Sequence, residues 1–173
     1  MPVRKNKLKK AIAQSIQGDG YVDIVKVGVA LGLQMIAVDR EDSFNSSIEY
    51  DSKLQLFKIK VNLNHPKTRQ RFSLAREVTH YIEHEEIIKE KGKLFRTRKI
   101  TKENASLEEL ANKGATEILI PKELLENRFL VDEIIEFSET LVTDIAYNFV
   151  VSKVVAIVRL RELGYYVPYF EFE

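Results

Sequence analysis

The spacing of the hydrophobic residues changes at Pro66, and this change limits the folds that the chain can adopt. Before Pro66, three stretches alternate hydrophobic and polar residues and are rich in β-branched side chains: LQMIAVD (33–39), SSIEYD (46–51) and LQLFKIKVNL (54–63). Such alternation predicts strands, and the short polar segment between the second and third stretches predicts a hairpin turn. After Pro66 the hydrophobic residues recur at helical spacing instead. The chain is therefore expected to form a small sheet that is followed by helices.

Helical patterns account for most of the remaining sequence. Two of them precede the strands, at residues 7–16 and 22–31, with Gly32 placed as a helix stop. The helix after Pro66 is predicted from Lys67 to Glu86. Four more are predicted in the second half of the chain, namely Ser106 (with Glu109 as a capping box) to the stop at Pro121, 122–128, 131–147 and 152–163. Helices combined with a short mixed sheet of about three strands define the expected fold class, α+β.

The length of 173 residues allows one hydrophobic core and excludes two full domains. We therefore expect a single domain over residues 1–173, with residues 131–164 as the candidate for a small helical C-terminal subdomain. The chain has no cysteine, which excludes disulfides, thiolate metal sites and a cysteine nucleophile. Because the sequence shows neither a secretory signal nor a run of 18 apolar residues, we expect a cytoplasmic protein with no membrane partner.

Basic residues are concentrated in two segments, although the net charge is only +1. Residues 1–10 carry five Lys or Arg and no acid, and residues 89–102 carry seven against a single Glu. The first segment is predicted to be a frayed terminus, and the second to belong to a polar loop or flap over residues 85–104. Solvated charge explains both segments more simply than nucleic-acid binding does, so direct contact with nucleic acid is not expected.

The helix after Pro66 gathers ionisable side chains on one face. At about 100° per residue, that face holds Arg76, Glu77, His80 and His84. The opposite face is apolar and is expected to pack on the core; it consists of Phe72, Ala75, Val78 or Thr79, and Ile82. Histidine binds zinc, and glutamate is the usual base for activating a zinc-bound water. The pattern alone leaves two interpretations open, namely one side of a metal site or a charged surface that also includes Glu83, Glu85 and Glu86.

Four segments resemble, in order, the sequence pattern of the ImmA/IrrE family of metallopeptidases. RQRFSLAREVTHYIEH (69–84) resembles RxRFTLAHELGHxLLH, and IKVNLNHPKTRQ before it is similar to the family's strand that ends in VN. ELANKGATEILIP (109–121) resembles EANxFAAxLLMP, and VSKVVAIVRLRELG (151–164) resembles the C-terminal VSxxAxxxRLxxLG helix. The resemblance implies a small zincin-like domain built around a central active-site helix. It also implies a zinc endopeptidase that cleaves a helix-turn-helix repressor of a mobile element, a prophage or a stress regulon.

The same resemblance implies roles for individual residues. It places Glu77 at the general base and His80 at the second zinc ligand, with Glu108, in preference to Glu109, at the third ligand. Arg76 stands where the family has its first zinc ligand, a histidine. A guanidinium cannot donate a lone pair, and catalytic zinc normally takes three protein ligands and a water. Metal chemistry is therefore expected to be impaired, and zinc is an expected cofactor only by resemblance.

Three functional interpretations follow from this substitution. The first is a zinc endopeptidase with an impaired centre, in which the metal site is shifted along the helix and His84 or His65 supplies the missing ligand. The second is an inactive pseudo-peptidase that binds the repressor, with the Arg76 cation paired to Glu77 or Glu108. The least favoured is a DNA-associated regulator, because residues 145–164 look like half of a helix-turn-helix.

Two further sets of residues concern packing more than chemistry. Leu110 and Gly114 stand where the family often has Glu or Gln and Phe. The hydrophobic residues of the last two helices are expected in the core, which argues against the DNA-binding interpretation; they are Ile145, Phe149, Val154, Val155, Val158 and Leu160.

Overall fold

The computed structural model describes residues 2–18, 20–93, 102–129 and 137–169. Within these ranges the elements are, in chain order, α1 (Pro2–Gln14), α2 (Ile24–Ala30), β1 (Gln34–Val38), β2 (Ser46–Asp51), β3 (Leu56–Asn62), α3 (Lys67–Lys91), α4 (Lys102–Leu119), α5 (Lys122–Phe129), α6 (Glu139–Phe149) and α7 (Lys153–Glu162). The predicted α+β class is confirmed.

The three strands form one mixed sheet in the order β1-β3-β2. Central β3 pairs antiparallel with β2, where Ile59 faces Ile48, and parallel with β1, where Ile59 faces Met35. Asp51 closes the turn between β2 and β3, since its carboxylate accepts hydrogen bonds from the backbone N–H groups of Lys53 and Leu54. Ile48 and Ile59 are fully buried, because this face of the sheet packs on α3. The predicted strands and hairpin are confirmed, with ends that differ by at most two residues.

Helix α3 crosses the middle of the fold and is longer than predicted. It runs past Glu86 to Lys91 and ends at Gly92, which has a φ of +74°. Its last turns carry charges that are paired within the fold: Lys89 contacts Glu85 at 2.6 Å. The loop predicted for residues 85–104 is therefore wrong at both ends, because 85–91 belong to α3 and 102–104 to α4. Gly92 and Lys93 follow α3, and the remaining residues of that segment, 94–101, lie outside the described residues.

Helix α1 is held against the second half of α3 by ion pairs. Arg4 contacts Glu85 at 2.5 Å and Glu86 at 2.9 Å, and Lys5 contacts Glu83 at 2.9 Å. The prediction of a frayed basic terminus is wrong, because these acids give the basic residues of α1 partners on another helix. Two of the five basic residues are thus used in packing, which weakens the case for a nucleic-acid contact here.

Arg71 ties together segments that are distant in the sequence. Its side chain is buried and donates hydrogen bonds to three backbone carbonyls, those of Val22, Phe149 and Val150. Its guanidinium also lies 5.0 Å from the centre of the Tyr21 ring. Burial lowers the pKa of Arg71, and the carbonyl oxygens offset part of the cost of burying the charge. The contact joins α3 to the segment before α2 and to the turn after α6.

The helical second half differs from prediction mainly at its helix starts. Helix α4 begins at Lys102, so Ser106 lies inside the helix and the predicted capping box is wrong. Ser138 and Ser152 cap α6 and α7, since each hydroxyl accepts a hydrogen bond from the backbone N–H three residues on. Residues 131–136 of the predicted helix 131–147 lie outside the described residues, and the described part begins at Glu139.

The core prediction for the last two helices holds in part. Ile145, Phe149 and Leu160 are fully buried as predicted, and Val155 is half-buried. Val154 and Val158, however, are 60% and 42% exposed, so their assignment to the core is wrong. Among the described helices none is by itself long and apolar enough to span a membrane; only α6 and α7 taken together meet that test, and they are bent by 102°.

Candidate functional site

The ionisable face of α3 is buried. Glu77, His80 and His84 are only 3%, 2% and 8% exposed, since β2 packs against α3 on one side and α4 on another. The interpretation of this face as a solvated charged surface is therefore wrong. The opposite, apolar face is buried too, as predicted, with Ala75 and Val78 fully enclosed.

Arg76 and Glu108 form the ion pair at the centre of the site. Nη2 of Arg76, on α3, donates to Oε2 of Glu108, on α4. Both side chains are largely shielded from water, being 15% and 31% exposed. Nε of Arg76 is buried and has no hydrogen-bond partner among the described residues. Because a poorly hydrated cation is costly without a counter-charge, Glu108 stabilises Arg76 at this position.

Glu108 also approaches His80. Nε2 of His80 lies 3.5 Å from Oε1 of Glu108, while the other carboxylate oxygen faces Arg76. One carboxylate therefore stands between a guanidinium and an imidazole. Glu109, the alternative ligand, is exposed on α4, because one residue along a helix turns the side chain by about 100°.

Glu77 is held from the sheet side. The hydroxyl of Ser46, the first residue of β2, donates a buried hydrogen bond of 2.7 Å to Oε1 of Glu77. Sequence reasoning missed Ser46. The strand containing it was predicted, but only the packing of β2 on α3 brings residue 46 to residue 77, which lies 31 positions later.

His84 contacts His80 rather than Glu108. Nδ1 of one ring lies 3.3 Å from Nδ1 of the other, so one neutral imidazole donates and the other accepts. Burial, and secondarily the nearby His80, lower the pKa of His84, which favours the neutral form of His84. His84 also interrupts the helix, with φ −128° and ψ 22°, so that α3 bends one turn beyond His80.

His65 does not join the site. It precedes α3, and its Nε2 lies 3.2 Å from the backbone carbonyl oxygen of Asp42. At 1.5 Å per residue, His80 lies about 20 Å farther along the helix. The expectation that His65 supplies a missing metal ligand is therefore wrong.

The donor set does not fit catalytic zinc. His80 and Glu108 approach each other as two ligands would, but the third group at this centre is a guanidinium, which has no lone pair to give. Among the described residues no three His, Asp or Glu side chains are arranged to hold a metal ion. What the centre supplies instead is a fixed positive charge beside a carboxylate.

A cavity of about 520 Å³ borders this centre. It lies between α4 and α7 and is bounded by Glu108, and the exposed Val158 contributes to its wall. Its volume is in the range that accommodates a few side chains of a bound chain.

Comparison with known families gives a match over most of the chain. The family model described as the IrrE N-terminal-like domain matches residues 44–161, more than half of the chain. That range contains Ser46, the ionisable face of α3 and Glu108. No curated protein matches the sequence significantly.

Proposed function

Since the chain belongs to the IrrE N-terminal-like family, we propose that it is a peptidase-like binding protein in which the Arg76 cation replaces catalytic zinc. The family is typically zinc-dependent and protease-like. In this proposal the chain has the family's fold and binds a protein partner, but it does not carry out metal-dependent hydrolysis.

One observation carries the proposal: Glu108 directs one carboxylate oxygen to Arg76 and the other toward His80. A zinc ion would neutralise the carboxylate and hold it near the imidazole. The guanidinium neutralises the same carboxylate from its own helix, one turn before His80. The fold therefore keeps α3 and α4 together at this point without a metal.

The remaining groups do not make a peptidase by themselves. Glu77 stands at the position of the general base, but a general base needs a water whose pKa has been lowered, and in this chemistry the metal lowers it. Glu77 also accepts a hydrogen bond from Ser46, which fixes its carboxylate. We therefore expect binding of a protein partner without hydrolysis.

The expected partner is a helix-turn-helix repressor, by resemblance to the family. Sequestering such a repressor would relieve repression without cutting the chain. The cavity between α4 and α7 is the candidate seat for a repressor segment, because it opens beside Glu108 and has both a charged and an aliphatic wall.

Metal content tests the central claim. After dialysis against zinc and gel filtration, the wild-type protein is expected to carry no stoichiometric zinc by mass spectrometry of the metal. Arg76→His, which supplies an imidazole beside His80 and Glu108, is expected to retain about one equivalent per chain. The matched control is Arg69→His, which adds a histidine at an exposed position two turns earlier on α3. One equivalent of zinc in the wild type, lost in His80→Ala, would overturn the proposal.

Binding and cleavage are separated in a second experiment. The wild type is mixed with the helix-turn-helix repressor encoded nearest to its gene, and the complex is followed by gel filtration and intact-mass spectrometry. We expect a complex that contains uncut repressor, with the same affinity for Glu77→Gln. Cleavage by the wild type that Glu77→Gln abolishes would show an active peptidase instead.

A further inference from the structure

A second groove, of about 530 Å³, lies among α1, α3, α4 and α5, and Arg159 of α7 also lines it. None of Arg76, His80 and Glu108 lines it. Much of its surface is aliphatic, with side chains from these helices and from the turns after α1 and α4, among them Leu8, Ile12, Ile82, Ile118, Pro121 and Leu124. The groove is therefore distinct from the candidate centre and has its own chemistry.

One wall of the groove is a face of α1 that packs only partly. Residues 5, 8, 9, 12 and 13 line the groove, and this spacing is that of a single helix face. Leu8 and Ile12 on this face are only half-buried, and Ile16 just beyond the helix is 38% exposed. The apolar face of an amphipathic helix is normally buried against its neighbours. Part of the apolar face of α1 instead remains accessible in the groove, where a bound partner can cover it.

The charge along the α1 wall is positive. Lys5 is neutralised by Glu83, but Lys9 at the groove is exposed and forms no ion pair with a described residue. Lys7 and Lys10 beside it are exposed as well, and α1 has no acidic residue.

The charges of the other walls are largely balanced. Lys122 contacts Glu126 at 3.2 Å, and Glu117 lies 3.8 Å from Arg159. Glu123 is exposed on the wall opposite α1. The groove therefore attracts negative charge along its α1 edge and not along the opposite edge.

We propose that this groove docks an amphipathic helix of a partner protein, with aliphatic residues on its floor and acidic residues along the edge that faces α1. A helix fits better than a strand, because helices supply the walls and floor and none of the described residues that line the groove belongs to a strand. From Lys5 to Ala13 the α1 wall is about 12 Å long, so it matches about two to three turns of a docked helix.

The test uses synthetic amphipathic helices of about four turns labelled with fluorescein, and fluorescence anisotropy. One peptide carries Glu along one edge of a leucine stripe, the second carries Lys at the same positions, and the third has the first composition with the stripe scrambled. The acidic-edge peptide is expected to bind tightest and the scrambled peptide not at all. Equal binding of the acidic-edge and basic-edge peptides, or of the scrambled peptide, would overturn the proposal.

Two pairs of variants place the binding in the groove. Lys9→Glu should weaken binding of the acidic-edge peptide about five- to tenfold and strengthen binding of the basic-edge peptide, whereas Lys53→Glu in the turn between β2 and β3 should change neither. Ile16→Asp should abolish binding, whereas Val25→Asp, at a comparably exposed position on α2, should not.

Circular dichroism confirms that each variant is folded, so a loss of binding is read only from folded protein. If no peptide binds but vesicles with phosphatidylserine or duplex DNA do, the lysines of α1 serve another partner and the proposal fails. The zinc content of Arg76 variants has no bearing on this result, so this proposal and the proposed function fail separately.

Discussion

Helices α3 and α4 pack closely at Gly114, and a single methyl group added there tests the packing of the site. A Cβ at position 114 would lie 2.7 Å from Oγ1 of Thr79 and closer still to its Cγ2. Thr79 is short and β-branched, and its buried hydroxyl already donates to the carbonyl oxygen of Ala75 at 2.9 Å, so it can turn aside only by losing this hydrogen bond. Gly114→Ala must therefore either break that hydrogen bond or push α4 away from α3.

Two opposite effects set the magnitude. In a helix interior, replacement of glycine by alanine stabilises by about 1 kcal/mol. Overpacking of a close contact costs about 1–3 kcal/mol, and the rigid Thr79 favours the middle of that range or above. Gly114→Ala is therefore expected to lower the free energy of unfolding by about 1 kcal/mol. In a Thr79→Ala background most of the clash is removed, and the same change should be neutral or stabilising by up to about 1 kcal/mol.

Urea denaturation of the four proteins of this double-mutant cycle measures the coupling, which we expect to be about 1–2 kcal/mol. Gly28→Ala is the matched control. Its Cβ would meet Cε of Met35 at 2.8 Å and Sδ closer still, but a methionine side chain has three rotatable bonds and can move aside. Gly28→Ala should therefore be neutral or stabilising. If Gly114→Ala stabilises the wild type, or if the coupling is near zero, the account of the α3–α4 contact is refuted.

Three further outcomes are expected. Arg71→Met should destabilise by about 3 kcal/mol or more by chemical denaturation, because three carbonyls lose their donor, and Arg71→Lys should not restore the loss. Ser46→Ala should cost about 1–3 kcal/mol, since it leaves the buried carboxylate of Glu77 without this donor, and Ser46→Thr should recover part of it. The pKa of His84 is lowered in the folded protein, so as the pH falls below about 6.5 the unfolded chain binds a proton at His84 before the folded chain does. Stability should thus decrease from that pH down to the folded pKa, and His84→Phe should flatten this part of the profile.

The sequence was sufficient where structure depends on local periodicity. The strands and the apolar stripe of α3 were predicted because period-2 and helical spacing record which side chains face the core. The sequence was insufficient where charged residues form ion pairs with residues of a distant segment. The acids at 83–86 and the bases of α1 each indicated exposed, loosely ordered chain, yet they pair with each other across about 80 positions.

The same limit applies to the candidate site. Spacing placed Arg76, Glu77 and His80 on one face of α3, but it gave no information on which other side chains meet that face. Ser46 reaches Glu77 only through the sheet, and Glu108 reaches Arg76 only through the crossing of α3 and α4. The close crossing of α3 and α4 depends on Gly114, which has no side chain. The sequence indicated Gly114 only as a departure from the family pattern that concerns packing.

The departures of α3 from the pattern that it resembles are matched by partners elsewhere in the fold. Where RxRFTLAHELGHxLLH has histidine, glycine and leucine, this chain has Arg76, Thr79 and Glu83. Arg76 pairs with Glu108, and Glu83 pairs with Lys5 of α1. Thr79 fills the space left by Gly114, where the family often has Phe. Loss of a zinc ligand alone would leave a carboxylate and an imidazole without a shared cation. Because each of these three side chains has a partner of complementary charge or volume, the structure favours a packing of α3 on α4 that does not depend on a metal ion.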